Sequence, residues 1–396
     1  MRFLLALVAL IAAPATAKPT YVAAGTCDGL PRVQLTTPRG ICVGLVAEHL
    51  GFPRGLALIG RDVYLADLAS RTPGHGRILR LGDYGRAAPV VVLSGLNQPN
   101  GLAATADGKL YVGEVGRIIR FDPRAPNPQA TISVMVSGLP TDGRHNLTAF
   151  ILAPDGALII GSGARSDNCE TDAGRLPNPA ALCPETRERP PRGSLLRLDP
   201  TTVRPASAAS LPPFATGIRN AMAYAFAPDG TLIAASNGRD NIDSADKRLS
   251  DDALPHDVLL KIVRGGDYGW PYCFDAGRPS PEYPRFDCRT RRAPAMLLSP
   301  HAAPLSMIRY RGTRLKVLTG KLILGYHGYR ARGHRIVAIA LDGLAPVGGE
   351  VDVVSGWATR EGVHPQGFPS ALLELPDGSI LIAEDQNRTL LRLSTP

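Results

Sequence analysis

The chain of 396 residues is 44% hydrophobic and carries 44 Lys and Arg against 35 Asp and Glu, a formal net charge of +9. Nucleic-acid binding is a poor explanation of this charge, because no basic stripe with interleaved aromatic residues is present and aromatic residues make up only 6% of the chain. The basic balance favours a small anionic ligand, an acidic redox partner or simple solubility.

The N terminus predicts a secretory signal peptide. It opens Met1-Arg2, continues with an apolar run over residues 3–13 and ends in Pro14-Ala15-Thr16-Ala17, which gives a charged start, an apolar middle and a small-x-small cleavage site. We expect residues 1–17 to be removed and the protein to be periplasmic or secreted. No later stretch reaches the roughly 18 uninterrupted apolar residues that a membrane span needs, so no span is predicted.

A repeated unit dominates the rest of the chain. It consists of an apolar strand, a turn that usually contains Asp-Gly, a second apolar strand, a polar loop and a third strand with an Ile/Leu-x-Arg/Lys-Leu/Phe/Val pattern. Successive copies begin near residues 54, 100, 145, 219, 304 and 370. They predict an all-β fold, a six-bladed β-propeller of four-stranded antiparallel blades, as one domain over residues 18–396. An irregular β-sandwich would not predict six recurrences of one turn.

The six cysteines fall into three neighbouring pairs, which are Cys27 with Cys42, Cys169 with Cys183 and Cys273 with Cys288. In an oxidising compartment they favour disulfides over metal sites. Six cysteines allow 15 connectivities, and we expect the nearest-neighbour pairing because closing a short loop costs little entropy. The last two pairs lie in insertions near residues 165–192 and 240–298.

In a propeller, the start of each inner strand and the loop after each second strand meet at one end of the central channel, so their polar residues converge there. Strand starts supply Arg54, Gln98, Asn100, Arg144, His145, Arg219, Asn220 and Gln366. The loops supply Asp67, Glu114, Arg165, Asp167, residues 237–241, His327, Arg330, Glu384 and Asp385. A cleft rich in arginines and amides suits a planar anionic ligand, because guanidinium groups pair bidentately with carboxylates. The alternative for any one of these residues is a loop hydrogen bond or a solvated ion pair.

Two features of this list point to chemistry. His145 opens an apolar strand, and a neutral imidazole at a strand mouth is a candidate general base near pH 7. The segment Ser236–Asn241, with Asp243 and Asp246 nearby, is rich in oxygen ligands and could hold Ca²⁺. It does not match the EF-hand pattern, and a plain Asx-turn loop is the alternative.

With these motifs in place, the chain resembles the soluble quinoprotein sugar dehydrogenases, a family that includes soluble glucose dehydrogenase, aldose sugar dehydrogenases and sorbosone-dehydrogenase-like proteins. The resemblance rests on Arg144-His145, Arg219-Asn220, the loop at residues 237–241 and, as the strongest signature, Gly265-Gly266-Asp267-Tyr268-Gly269-Trp270-Pro271. It implies a propeller that binds pyrroloquinoline quinone (PQQ) and Ca²⁺ and oxidises an aldose or related hydroxy-aldehyde by hydride transfer to PQQ.

The resemblance also implies roles for individual residues. His145 matches the catalytic base, Arg219 the arginine beside the reacting quinone oxygens and Asn220 a cofactor-contacting amide. The backbone carbonyls of Gly238 and Arg239 match the calcium ligands. No haem attachment motif is present, so a separate electron acceptor is expected.

The chain departs from glucose dehydrogenase at two places. Arg144 stands where that enzyme has an Asp, and residues 366–370 stand where it has two arginines. We expect Arg54, Arg330 or Arg332 to replace these cofactor contacts from other blades, and Gln98 to be a further cofactor contact. Glucose itself is a poor candidate substrate. Two other functions stay open, a binding propeller without activity and a calcium-dependent lactonase with a metal ring of Glu114, Asp167, Asn237 and Glu384.

Overall fold

A computed structural model describes residues 21–171, 174–357 and 367–396. The expected signal peptide and Gln366 lie outside the described residues. The described part contains 30 β-strands and seven short 3₁₀ helices, with no α-helix. None of its helices is long and apolar enough to cross a membrane.

The strands form a six-bladed propeller, which confirms the predicted fold. Three strands precede the first blade: β1 (Ala23–Cys27), β2 (Leu30–Val33) and β3 (Cys42–Ala47). Blade 1 comprises β4 (Pro53–Ile59), β5 (Asp62–Asp67), β6 (Gly76–Leu81) and β7 (Val90–Leu96). Blade 2 comprises β8 (Gly101–Ala104), β9 (Leu110–Glu114), β10 (Arg117–Phe121) and β11 (Ser133–Ser137).

Blades 3 and 4 carry the insertions. Blade 3 comprises β12 (Phe150–Leu152), β13 (Leu158–Ser162), β14 (Ser194–Leu198) and, after β15 (Ala206–Ser207), β16 (Pro213–Thr216). Blade 4 comprises β17 (Ala221–Phe226), β18 (Leu232–Ser236), β19 (His256–Ile262) and, after β20 (Gly266–Asp267), β21 (Cys273–Phe274) and β22 (Arg278–Pro279), β23 (Met296–Pro300). The short strands β15 and β20 pair in parallel with the outer strands β11 and β16, so blades 2 and 3 each gain a fifth strand.

Blade 6 closes the ring with help from the N-terminal segment. Blade 5 comprises β24 (Pro304–Arg309), β25 (Leu322–Tyr326), β26 (Arg335–Asp342) and β27 (Ala345–Val354). Blade 6 contributes β28 (Pro369–Glu374), β29 (Ile380–Glu384) and β30 (Thr389–Ser394). Its fourth strand is β3, which pairs antiparallel with β30 from Cys42 opposite Ser394, and β2 and β1 extend this sheet to six strands. The 3₁₀ helices are Asp83–Gly85, Pro128–Thr131, Pro184–Arg187, Ala208–Ser210, Ile242–Ser244, Cys288–Thr290 and Lys316–Leu318.

The recurring Asp-Gly turn has a physical cause. In three blades the Asp carboxylate accepts a hydrogen bond from the N–H two residues later; Asp155 accepts from Ala157 at 3.1 Å and Asp229 from Thr231 at 2.9 Å. The glycine that follows has a positive φ, 82° at Gly156, which costs an L-residue energy and glycine none. This turn joins the inner strand of a blade to its second strand.

The six inner strands surround a central channel. They are β4, β8, β12, β17, β24 and β28, and their side chains line a cavity of about 150 Å³. Apolar clusters fill the spaces between blades, such as Ala223, Leu259, Met307 and Leu324 between blades 4 and 5. In every blade the start of the inner strand lies beside the end of the second strand. Residues at these positions therefore lie at the same end of the channel in all six blades.

The three expected disulfides are confirmed: Cys27–Cys42, Cys169–Cys183 and Cys273–Cys288. The two insertions also pack on each other. Tyr272 stacks on Phe286 with ring centroids 4.5 Å apart, and its hydroxyl accepts a hydrogen bond from the Cys183 N–H at 2.9 Å. The insertions of blades 3 and 4 thus form one body.

Candidate active site

Three carboxylates that the sequence placed at the mouth have structural roles. Asp67, Glu114 and Glu384 end the second strands of blades 1, 2 and 6, and all are fully buried. Asp67 accepts a hydrogen bond from the Phe52 N–H at 2.7 Å, Glu114 from Asn97 at 2.6 Å, and Glu384 from Phe368 at 2.7 Å. Each of these hydrogen bonds fixes the segment that leads into an inner strand. Glu114 and Glu384 therefore do not form the metal ring that a lactonase would need.

His145 is held in a defined orientation on blade 3. Its Nδ1 lies 2.9 Å from the carbonyl oxygen of Ala164. A carbonyl only accepts, so Nδ1 carries the proton and Nε2 of the neutral ring has the free lone pair. Burial, and next the charge of Arg219, lower the pKa of His145 from 6.5 to about 3. The close approach requires glycine at 163, where a Cβ would lie 2.6 Å from the Cβ of His145.

Arg219 is buried beside this ring and is fixed from two sides. Its Nε donates to the Asp167 carbonyl at 2.9 Å, and its Nη2 pairs with the Asp167 carboxylate. Its Nη1 donates to the Gly238 carbonyl at 2.6 Å. The indole N–H of Trp270, from the strongest sequence signature, donates to the same Asp167 carbonyl at 3.3 Å. The sequence named Arg219 and Asp167 separately, and the structure joins them.

The loop after β18 is held by a carboxylate that sequence reasoning missed. Asp257 is buried and accepts hydrogen bonds from the N–H groups of Gly238 at 2.7 Å and Ala303 at 2.6 Å. Burial raises its pKa to about 6. The backbone of Asn220 pairs with the same loop through the Asn237 N–H at 3.0 Å. Asp257 follows no motif, and only its position next to Val258, the residue opposite Ser236 in the β18–β19 ladder, marks it.

Arg54, Gln98 and Arg330 lie on other sides of the mouth, and each contacts protein groups. Arg54 is buried and pairs with Asp385 at 2.7 Å, although its Nε has no hydrogen-bond partner among the described residues. Gln98 donates to the Arg71 carbonyl at 2.9 Å. Arg330 pairs with Asp251. These three are therefore spread over blades 1, 2 and 5.

Two histidines connect these groups across blades. His327 donates through Nε2 to Asp385, 3.0 Å away, and so joins blade 5 to the Arg54–Asp385 pair of blades 1 and 6. His301, which the sequence did not single out, lies between Asp240 and the Asp251 carbonyl. Burial would lower the pKa of His301, but the hydrogen bond to Asp240 and the acceptor at Asp251 raise it. His301 thus ties the loop after β18 to blade 5 through these two contacts.

A model of the glucose/sorbosone dehydrogenase family matches residues 117–342. The chain belongs to this family. The match supports an oxidoreductase acting on sugars and covers His145, Arg219, Asn220 and the loop after β18. In a sequence comparison, no curated protein matches the chain.

Solved structures share the fold of this chain. The calcium structure of a Trichoderma reesei family AA12 carbohydrate-active enzyme is 17% identical, with a TM-score of 0.74 over 96% of this chain and 99% of that one. The holo PQQ domain of pyranose dehydrogenase from Coprinopsis cinerea is 16% identical, with a TM-score of 0.71 over 93% and 99%. PQQ-bound aldose sugar dehydrogenase from Streptomyces coelicolor is 19% identical, with a TM-score of 0.60 over 91% and 100%. At such identities the likeness concerns the fold.

Proposed function

We propose that this chain is a periplasmic or secreted PQQ-dependent dehydrogenase that oxidises an aldose or related hydroxy-aldehyde, with His145 as the base. The observation that carries the proposal is the fixed, neutral imidazole of His145. Its Nδ1–H is committed to the Ala164 carbonyl, and its low pKa keeps Nε2 unprotonated at any physiological pH.

The charges at the mouth fit PQQ, which is a planar tricarboxylate. Among the described residues, one N–H of the buried Arg54 guanidinium has no acceptor, and Arg71 has no carboxylate within ion-pair distance. The side-chain amide of Asn220 likewise makes no hydrogen bond to a described residue. Arg54, Gln98, Arg219, Asn220 and Arg330 are the residues that we propose to hold the cofactor, since guanidinium and amide groups bind carboxylates.

When bound, PQQ accepts the hydride that leaves the sugar carbon. Residues of the chain accept the proton and stabilise the developing charge. Nε2 of His145 takes the proton of the reacting hydroxyl. Arg219 stabilises negative charge as it develops, and the same charge keeps His145 in its basic form. Asp167 positions Arg219 through the paired contact, so we expect it to be a positioning residue.

The fit to Ca²⁺ is poorer. The Gly238 carbonyl, one of the two expected ligands, already accepts a hydrogen bond from the Arg219 guanidinium at 2.6 Å, so a calcium ion there would lie beside a positive charge. Asp257 is committed to two N–H groups. The binding of calcium by Gly238 and Arg239 stays a prediction.

The direct test is titration of the purified protein with PQQ, with and without Ca²⁺ or a chelator, followed by dye reduction over a panel of aldoses. We expect uptake and turnover, with electrons passed to an added acceptor. His145→Ala should abolish turnover and leave PQQ affinity nearly unchanged, whereas the exposed control His75→Ala should match the parent in both. Near-normal rates in His145→Ala would refute the assignment of the base, and no uptake of PQQ would favour a binding propeller.

A further inference from the structure

A pocket of about 520 Å³ adjoins the His145 segment, and the proposed mechanism does not use it. Gly143 and Arg144, which precede the base, line it, as do Arg165 and Asp167, which follow the Ala164 carbonyl that holds the base. Residues of the Cys169–Cys183 insertion, including Glu170 and Leu176, also line the pocket. Small-ligand sites in proteins typically measure some hundreds of Å³.

Most charged groups of this pocket are neutralised within the protein. Asp167 pairs with Arg219, Arg239 with Glu282, and Asp142 with Arg192 and Arg165. Two groups remain. Within the described part of the chain, Arg144 has no carboxylate within 4.0 Å and Glu170 has no cation within 4.0 Å.

Glu170 is poised as an acceptor. One carboxylate oxygen accepts the Asp167 N–H at 2.8 Å and the other accepts the Asn168 N–H at 2.6 Å, which leaves acceptor capacity on each. Burial would raise the pKa of Glu170, but these hydrogen bonds and the charge of Arg144 lower it. Arg144 and Glu170 thus line the same pocket without forming an ion pair, one as a hydrogen-bond donor and the other as an acceptor.

We propose that Arg144 and Glu170 bind the hydroxyl groups of a neutral pyranose in this pocket and set the sugar specificity of the enzyme. Their opposite charges cancel, so a neutral ligand with alternating donors and acceptors matches them better than an acidic sugar. Leu176, 49% exposed, offers an apolar surface to the C–H groups of such a ring. Binding of a pyranose in this pocket does not depend on the proposed function. Only the identification of that pyranose as the substrate, or as a sugar unit attached to the substrate, rests on it.

The test is binding of methyl glycosides of neutral hexopyranoses to the cofactor-free protein, measured by calorimetry at millimolar ligand. These probes are blocked at C1, so binding is separated from oxidation. We expect saturable binding that Arg144→Gln weakens roughly tenfold to hundredfold, the usual effect of losing a hydrogen bond to a charged group. The control Arg39→Gln, an exposed arginine before β3, should bind like the parent. Glu170→Gln should weaken binding as well, but it also disturbs two backbone hydrogen bonds, so Arg144→Gln is the decisive variant.

In the loaded enzyme, Arg144→Gln should raise KM for neutral aldoses more than it lowers kcat. Equal glycoside affinity in the parent and Arg144→Gln would overturn the inference, as would no binding by the parent, or a loss of PQQ affinity in Arg144→Gln with unchanged glycoside binding. Glycoside binding that depends on Arg144 in a protein without PQQ-dependent turnover would support the pocket and refute the proposed function instead.

Discussion

The pH dependence of stability tests the environment of His145 directly. Burial and the Arg219 charge lower its pKa from 6.5 to about 3 in the folded protein, while the unfolded chain titrates near the ordinary value. Between these two values the unfolded state binds a proton that the native state does not, so stability is fully present above about pH 6.5 and is lost as pH falls. A shift of this size corresponds to about 5 kcal/mol, reached below about pH 3, and to about 3 kcal/mol by pH 4.5.

The measurement compares the parent with His145→Gln, whose amide can still donate to the Ala164 carbonyl but does not titrate. Chemical unfolding is followed at several values between pH 7 and pH 4.5. Whatever the substitution costs at pH 7, the stability of the parent minus that of the variant should fall by about 3 kcal/mol over this range. Other groups with shifted pKa values, such as Glu384 and His301, are present in both proteins and cancel. A difference that stays constant within about 0.5 kcal/mol would refute the reasoning.

The other predictions concern stability. Asp257→Asn should destabilise the fold by about 1–3 kcal/mol, because an amide has one acceptor oxygen for the two N–H groups of Gly238 and Ala303. Chemical unfolding should show little change in stability for the exposed control Asp342→Asn. Equal loss of stability in the two variants would contradict the role of Asp257. Replacing Cys27 and its partner by serine should cost about 3 kcal/mol for a loop of this length, measured under non-reducing conditions, and an unchanged unfolding midpoint would show that the disulfide adds nothing.

The blades could be predicted from the sequence because one local signal repeats. The Asp-Gly turn is stabilised by contacts within a few residues, so its spacing alone locates the inner and second strands. The three disulfides followed for a similar reason, since each joins cysteines 14 or 15 residues apart. His145, predicted to open the inner strand of its repeat, lies instead in the segment that leads into β12, five residues before Phe150.

The contacts within the site could not be predicted because they join distant parts of the chain. Arg219 meets Asp167 across 52 residues, and Arg54 meets Asp385 across the ring closure. The buried roles of Asp67, Glu114 and Glu384 were missed although a signal existed. A carboxylate that recurs at the same place in three repeats indicates a structural role common to the blades. A residue found in one blade only, such as His145, is a better candidate for a catalytic role. The use of β3 in blade 6 was also missed, although that repeat shows only three strands of its own.

The pairing of β3 with β30 also determines the order in which the protein can fold. These strands lie about 350 residues apart, and bringing ends together over so long a flexible chain costs about 5 kcal/mol in entropy plus a constant. Blades 1 to 5 form from hairpins of neighbouring strands, so they shorten the remaining gap before it closes. Until β3 docks, β30 presents an unpaired edge that can capture a strand of another molecule. Substitutions that weaken β3 should therefore appear first as aggregation during refolding, before they alter the finished ring.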